Sequence, residues 1–377
     1  MSALRVLLVF RAPLGGLFRQ VIDLARYLIA DGHSVGIVAD TIADNPRAEA
    51  TFAELKDQCA LGIHRLPMHR NPHWTDIGNI RRIRAIAKET QAHVLHGHGS
   101  KGGLYARADA ALGMGGPVRV YTPHGGSFNY QPGTMAHRVY MVIETLLERG
   151  TDVFAFESEF IAGRFRAEVG QTRKIVRIAL NGLHPHEFTP RQVAADATDI
   201  VFIGELRPVK GIDLLIHAIC RIKKQGRSLT ATIIGSGPDE AELKALAERE
   251  GIAGQLQFTG PMPAQVGLTR GRIMVAPSRF ESLPYIVLES VAAQIPLITT
   301  SCGGIPEIVG SDYPWMLPVD DLDRLVGAIM EADAMSDDAL RIRAAALADR
   351  IRPLFDAQRM GRDIVAAYRA GLAARQG

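Results

Sequence analysis

The chain has 377 residues, 47% of them hydrophobic and 22% charged, with a net charge of +3. That length leaves room for two domains and a large core, and the composition is that of an ordinary soluble protein. So slight a positive balance excludes a typical nucleic-acid binder, and the three scattered cysteines (Cys59, Cys220, Cys302) show neither a disulfide framework nor metal-ligand spacing.

The first half alternates strand and helix. Leu4–Phe10 is an apolar run fit for a buried parallel strand. No basic-apolar-small leader is expected ahead of it, and no apolar run nears the ~18 residues needed to cross a bilayer. A reducing cytoplasm is the expected location. Leu17–Ala30 has helical spacing, and Ser34–Ala39 is the next strand. Further strands are expected at Ile63–Leu66, His93–His96, Val118–Thr122, Val153–Phe156 and Ile175–Ala179. Helical patterns at Asp76–Glu89, Gly103–Leu112 and Met135–Leu147 lie between them. Repeated β-α units predict a parallel sheet covered by helices on both faces.

The polar, alanine-rich stretch Thr189–Thr198 reads as a linker, after which the pattern restarts. Strands are expected at Ile200–Gly204, Ala231–Ile234, Leu256–Phe258, Met274–Ala276 and Leu297–Thr300. Helices are expected at Ile212–Lys224, Glu240–Glu250 and Tyr285–Ala293, and further helices close the chain. The expected domains are 1–190, 199–354 and a terminal helical segment, 355–377. Charge divides unevenly between the halves. Lys and Arg outnumber Asp and Glu by 22 to 17 through Pro190 and fall short by 21 to 23 after it.

Three loops in the first half hold candidate site residues. Gly15-Gly16, between a strand and a helix, lets backbone approach a ligand closely, but Arg11–Gly16 is not a G-x-G-x-x-G fingerprint. His96-Gly97-His98-Gly99-Ser100-Lys101-Gly102-Gly103 ends a strand and opens a helix. If the strand persists, alternation sets His96 and His98 on one side. His98, Ser100 and Lys101 are candidates for polar contact with an acceptor, while one histidine of the pair could be a satisfied sheet-end residue. No third zinc ligand is evident. Tyr121-Thr122-Pro123-His124-Gly125-Gly126 places His124 on a tight loop after another strand, where an imidazole could donate a hydrogen bond to a ligand or act as a base.

The most informative stretch lies in the second half: Arg279-Phe280-Glu281-Ser282-Leu283-Pro284-Tyr285-Ile286-Val287-Leu288-Glu289. Pro284 suits a first helical turn. Glu281 is therefore expected on a strand-to-helix loop, and Glu289 between one and two turns into the helix. The helix N-terminus offers backbone N–H groups from Ser282, Leu283 and Tyr285 to an anion. Two carboxylates flanking that anion could accept hydrogen bonds from hydroxyls on either side of it.

This stretch resembles the E-x7-E motif of retaining glycosyltransferases, most closely glycosyltransferase family 4. Phe202-Ile203-Gly204-Glu205-Leu206-Arg207-Pro208-Val209-Lys210-Gly211 is similar to the family's strand-loop-Lys-Gly segment. Ile233-Ile234-Gly235-Ser236-Gly237-Pro238 is similar to its glycine turn, and Phe258-Thr259-Gly260 and Gly303-Gly304-Ile305-Pro306-Glu307 match two more landmarks in the right order. The resemblance implies the GT-B fold, two doubly wound Rossmann-like domains facing a cleft, with the final helix crossing back to the first domain.

It implies retaining transfer of a hexose from a nucleotide-diphosphate sugar (UDP- or GDP-linked) to a glycan or lipid-linked acceptor, in cell-surface polysaccharide synthesis, with no cofactor and no essential metal. By the same resemblance, Glu281 holds hydroxyls of the transferred sugar and Ser282 and Leu283 give backbone donors. Glu289 holds the ribose. Arg207 and Lys210 hold the diphosphate, Gly237 and Phe258 lie near the base, and Gly15 and Gly16 face the donor phosphates. His124 lies near the reacting sugar. Where the family usually has Arg after the strand glycine, this chain has Glu205, so Arg207 could reach the same phosphate or that contribution could be missing.

Arg81, Arg84 and Lys88 on one helix face form a candidate contact with an anionic membrane surface. Two other readings stand beside the transferase: an inactive sugar-nucleotide-binding protein, supported by Glu205, and a nucleotide-cofactor oxidoreductase, which lacks its fingerprint.

Overall fold

The computed structural model describes every residue except Met1, Asp44, Gln131 and Gly377. The chain divides into two compact units, Met1–Gly182 with Ala357–Gly377, and Leu183–Asp356.

The first unit holds seven strands: β1 (Arg5–Phe10), β2 (Ser34–Asp40), β3 (Ile63–Leu66), β4 (Val94–His98), β5 (Val118–Thr122), β6 (Val153–Phe156) and β7 (Ile175–Ile178). Their order across the sheet is β3-β2-β1-β4-β5-β6-β7, and every pairing is parallel. Both faces are covered, as the continuous apolar runs require. Val6, Leu8 and Phe10 pack with Val21, Leu24 and Leu28 of helix Gly15–Ala30. On the opposite face Leu7 and Val9 meet Ile83, Ile86 and Tyr105.

The terminal helix, Ala357–Ala374, belongs to this unit and adds Met360, Ile364 and Tyr368 to the first of those cores. Its Gly361 sits so close to the Tyr27 ring that a Cβ there would lie 2.2 Å from it.

The second unit holds β8 (Thr198–Ile203), β9 (Ala231–Ile234), β10 (Leu256–Gly260), β11 (Gly271–Ala276), β12 (Leu297–Thr300) and β13 (Met316–Leu317). They run in the order β10-β9-β8-β11-β12-β13, again all parallel. In each sheet the strand order reverses once, between β1 and β4 and between β8 and β11. Open parallel sheets bind ligands outside the carboxyl ends of the strands at such switch points. The loops after those strands are therefore where chemistry is to be sought.

Most predicted elements lie within a few residues of their observed bounds. The longest helices without clear predicted counterparts are Pro46–Leu55 and Glu159–Glu168, each opened by a side-chain cap. Asn45 Oδ1 accepts from Ala48 N–H, and Ser158 Oγ from Ile161 N–H. The stretch Thr189–Thr198, expected as the linker, lies inside the second unit, and the chain passes between units at Gly182/Leu183. Backbone pairing overrides its loop-like composition: Arg191 N–H donates to the Ala293 carbonyl and Ala194 N–H to that of Thr269, each at 2.9 Å.

Candidate active site

At the β8/β11 switch point the loop after β11 brings Glu281 to Lys210 from the loop after β8. Lys210 Nζ donates to Glu281 Oε1 at 2.6 Å, and Ser278 Oγ donates to the same oxygen at 2.8 Å. The pair is part-buried, so the attraction is screened less than at an open surface. Both bonds fall on Oε1, and Oε2 remains as an acceptor for an incoming hydroxyl. Lys210, with three donors, keeps N–H groups beyond the one given to Glu281.

The backbone around this pair is tightly fixed. Gly303, at φ +61°, lies so close to Glu281 that a Cβ would sit 1.8 Å from the Glu281 carbonyl oxygen. Beside it, Gly304 N–H donates to the Ser282 carbonyl at 2.7 Å. The Gly303-Gly304 landmark is thus what lets the loop after β12 lie against the Glu281 loop. Gly237 likewise lies against the Leu206 backbone, 2.3 Å from a Cβ to the carbonyl oxygen.

Arg279, which the sequence reading passed over, ties the remaining pieces together. Its guanidinium donates to both Asp213 oxygens (2.8 and 2.6 Å), to Asp320 (2.6 Å) and to the Pro208 carbonyl (2.5 Å). Hydrogen bonding to Asp213, then to Asp320, pushes its pKa above the usual arginine value. Its only sequence signal was its place at the head of the two-glutamate stretch.

Helix Tyr285–Ala292 begins with Pro284 at the N-cap, and Glu289 stands part-buried at its fifth residue. Leu283 is buried and Ser282 half-buried. Phe258, on β10, is packed against the unit's core with the Lys244 ammonium 5.4 Å from its ring centre. Arg207 is not brought to Glu281. Its side chain is paired loosely with Glu205 at 3.4 Å, and it lines an open groove of about 320 Å³ with Asp213, Asp239 and Glu242.

In the first unit, β4 runs on through His98, so His96 and His98 do share a side, with ring centres 3.9 Å apart. Thr122 Oγ donates to the Ala155 carbonyl at 2.7 Å, which leaves only lone pairs for His96 Nε2, 2.9 Å away. His96 therefore bears its proton on Nε2 and accepts at Nδ1 from the Tyr368 hydroxyl, at 2.7 Å. It is the satisfied sheet-end residue of the pair.

His98 Nδ1 lies 3.1 Å from His124 Nε2. His98 is fully buried, and its Nε2 has no hydrogen-bond partner. His124 is part-exposed and holds φ at +52°, a conformation a non-glycine residue adopts only when its surroundings impose it. Burial pushes the His124 imidazole down to about 3. Burial, with the neighbouring rings, pushes His96 and His98 well below the usual histidine value. All three are neutral near pH 7.

Ser100 and Lys101 take other partners. The Ser100 and Ser127 hydroxyls lie 2.9 Å apart, and Ser127 donates to buried Glu144. Lys101 Nζ donates to Asp76 at 2.6 Å, and the Tyr105 hydroxyl takes the other Asp76 oxygen. The glycines around them serve packing: a Cβ at Gly102 would lie 2.2 Å from the Val9 carbonyl oxygen, so helix Gly99–Ala111 lies directly on β1. Gly15 and Gly16 open helix Gly15–Ala30 and face solvent.

Among the described residues no group of three or more His, Cys, Asp or Glu side chains is arranged to hold a metal ion. No helix among them is long and apolar enough to cross a membrane.

Two all-parallel α/β units, each with polar loops gathered at its switch point, define the GT-B class of glycosyltransferase fold. Comparison with known proteins gives the family. The Glycosyltransferase Family 4 model matches residues 14–187, and the Glycosyl transferases group 1 model matches residues 197–332. The chain belongs to this glycosyltransferase family.

A relative named for colanic acid biosynthesis, the glycosyltransferase WcaL of Escherichia coli K12, is 26% identical over 60% of this chain and 58% of its own length. The chain thus spans less than two thirds of that relative. The GDP-mannose-dependent alpha-(1-6)-phosphatidylinositol monomannoside mannosyltransferase of Mycobacterium tuberculosis is 27% identical over 62% of this chain and 69% of its own. Among solved structures, sucrose-phosphate synthase from Thermosynechococcus elongatus matches in fold. Its TM-score is 0.82 at 18% identity, covering 98% of this chain and all of that one.

Proposed function

We propose that the protein is a retaining glycosyltransferase moving a hexose from a UDP- or GDP-sugar to a hydroxyl of a glycan or lipid-linked acceptor, in polysaccharide or glycolipid synthesis. The observation behind this reading is the Lys210–Glu281 pair at the β8/β11 switch point, with Glu289 on the helix that follows. A cation and a carboxylate side by side suit a diphosphate next to a sugar. Lys210 offsets the charge that grows on the leaving phosphate as the anomeric C–O bond breaks. Glu281 accepts hydrogen bonds from the sugar's hydroxyls, and Glu289 from the ribose. The acceptor oxygen bonds to the anomeric carbon on the face the diphosphate leaves, and the acceptor proton passes to that diphosphate. No metal or cofactor is invoked.

The test is transfer from a panel of UDP- and GDP-sugars to glycan and lipid-linked acceptors, with the anomeric configuration of the product read by NMR. A product of the donor's own configuration supports the reading. An inverted product removes the retaining mechanism. Nucleotide binding without transfer to any acceptor favours the inactive sugar-nucleotide-binding protein, the reading kept open by the Glu205–Arg207 pairing.

We further propose a membrane contact, for which helix Met135–Glu148 offers a fuller surface than the Arg81 face. Arg84 of that face is tied to buried Asp109 at 3.0 Å. On the other helix Met135, Val139, Val142 and Leu146 are all exposed at helical spacing, flanked by exposed Arg138 and Arg149. An apolar stripe edged by cations suits an anionic lipid surface. Sedimentation with anionic but not neutral vesicles, reduced in Val142→Asp, is expected. Equal sedimentation with both vesicle types contradicts the placement.

A further inference from the structure

His98 is fully buried and yet has a ring nitrogen without a partner. A neutral imidazole has one N–H and one lone pair. The question is which of the two sits at the unpartnered Nε2.

A buried N–H with no acceptor is rare and costly, whereas an unfilled lone pair is tolerated more readily. The proton of His98 therefore belongs on Nδ1, where an acceptor stands 3.1 Å away: Nε2 of His124. His96 cannot disturb this arrangement, because Thr122 and Tyr368 fix its own tautomer. If His98 donates from Nδ1, His124 must be bare at Nε2. Its single proton then lies on Nδ1, on a ring that is part-exposed.

We propose that His98 is a positioning residue that fixes the tautomer of His124, so that His124 offers an N–H at Nδ1 and meets a substrate oxygen as a hydrogen-bond donor and not as a base. The assignment of that substrate oxygen to a sugar rests on the function proposed above; the tautomer itself does not. The arrangement accounts for two features together: the unpartnered nitrogen of His98 and the 3.1 Å contact between the two rings' nitrogens. It also matches a mechanism in which the acceptor proton goes to the leaving diphosphate.

The test uses the full chain labelled with 15N at histidine. A long-range 1H–15N correlation spectrum shows which nitrogen of each ring bears the proton. His98→Asn and His124→Asn assign the signals by loss. The wild type is expected to show His124 protonated at Nδ1 and bare at Nε2. A proton on His124 Nε2 overturns the proposal, whatever the activity.

A pair of variants then separates positioning from packing. Asn at position 98 places an amide N–H where Nδ1 stood; Leu places none. His98→Leu should lose the single His124 tautomer and lower transfer roughly five- to tenfold, the effect of one hydrogen bond, while the nucleotide response of the second unit stays intact. His98→Asn should restore both. Equal losses in the two variants would show that the imidazole serves packing alone. If no nucleotide binds and no sugar moves, the transferase reading fails, and the spectrum still decides the tautomer.

Discussion

The two candidate sites of this chain are built from opposite materials. At β8/β11 the site is ionic and part-exposed, with Lys210 on Glu281 and Arg279 spanning Asp213, Asp320 and the Pro208 carbonyl. In the first unit, at the ends of β4 and β5, the groups at the centre are three neutral imidazoles, two of them wholly buried, while the charged groups around them, Lys101 with Asp76 and the carboxylates of Glu144 and Glu157, are already taken by protein partners. A charged site suits a charged ligand such as a diphosphate. A neutral, hydrogen-bonding site suits hydroxyls, for which charge would bring desolvation cost without reward. The contrast supports assigning the donor's diphosphate to the second unit and a sugar or acceptor hydroxyl to the first.

The largest effect should follow from breaking the ionic side. Glu281→Ala removes the carboxylate proposed to meet the sugar and takes from Lys210 its ion-pair partner. Turnover is expected to drop by about 10²–10³-fold, the scale found when one preorganised electrostatic contact is lost. A steady-state assay with saturating donor checks it, and a drop under threefold would deny Glu281 its role. Next comes the scaffold beneath that pair. Gly303→Ala drives a Cβ into the Glu281 carbonyl at a positive φ, and should cost on the order of 1–3 kcal/mol. Denaturant unfolding would read this as a lower midpoint, and an unchanged midpoint would show that the loop moves aside freely.

The neutral side should reveal itself through pH. His124 sits at about 3 in the folded chain against an ordinary 6.5, so between those values the unfolded chain binds more protons. Stability is then full above about pH 6.5 and falls as pH drops toward 3, by up to about 1.4 kcal/mol per unit for each such ring. Unfolding at pH 7.5 and pH 5.0 should show a smaller pH-dependent loss in His124→Asn than in the wild type. Equal losses would place the proton uptake elsewhere.

The same contrast explains what could be read from the sequence. Glu281, Pro284 and Glu289 lie within nine positions, so strand-loop-helix logic alone placed them, and Lys210 came with the glycine that follows it. The parallel sheets were legible because buried strands must be continuously apolar. The histidine site was legible only as isolated candidates. His98 meets His124 across 26 positions and His96 meets Tyr368 across 272, and no local pattern reports such pairings. Lys101 looked like a ligand-facing cation until its partner Asp76 came from another helix. Thr189–Thr198 looked like a linker because composition is blind to the carbonyls of Ala293 and Thr269. Arg279 was overlooked because a lone arginine beside two glutamates gives no hint of Asp213 and Asp320.

The central claim is that the charged site of the second unit holds a nucleotide sugar, with Glu289 on the ribose. The most direct measurement is a thermal-shift titration of the wild type and Glu289→Ala with UDP, GDP, ADP and NAD. A ligand that binds only the folded state raises the melting temperature by mass action. The account predicts that UDP or GDP stabilises the wild type and that the shift collapses in the variant, with affinity down about 10- to 100-fold. Stabilisation by NAD alone, or a UDP or GDP shift undiminished in Glu289→Ala, would contradict it.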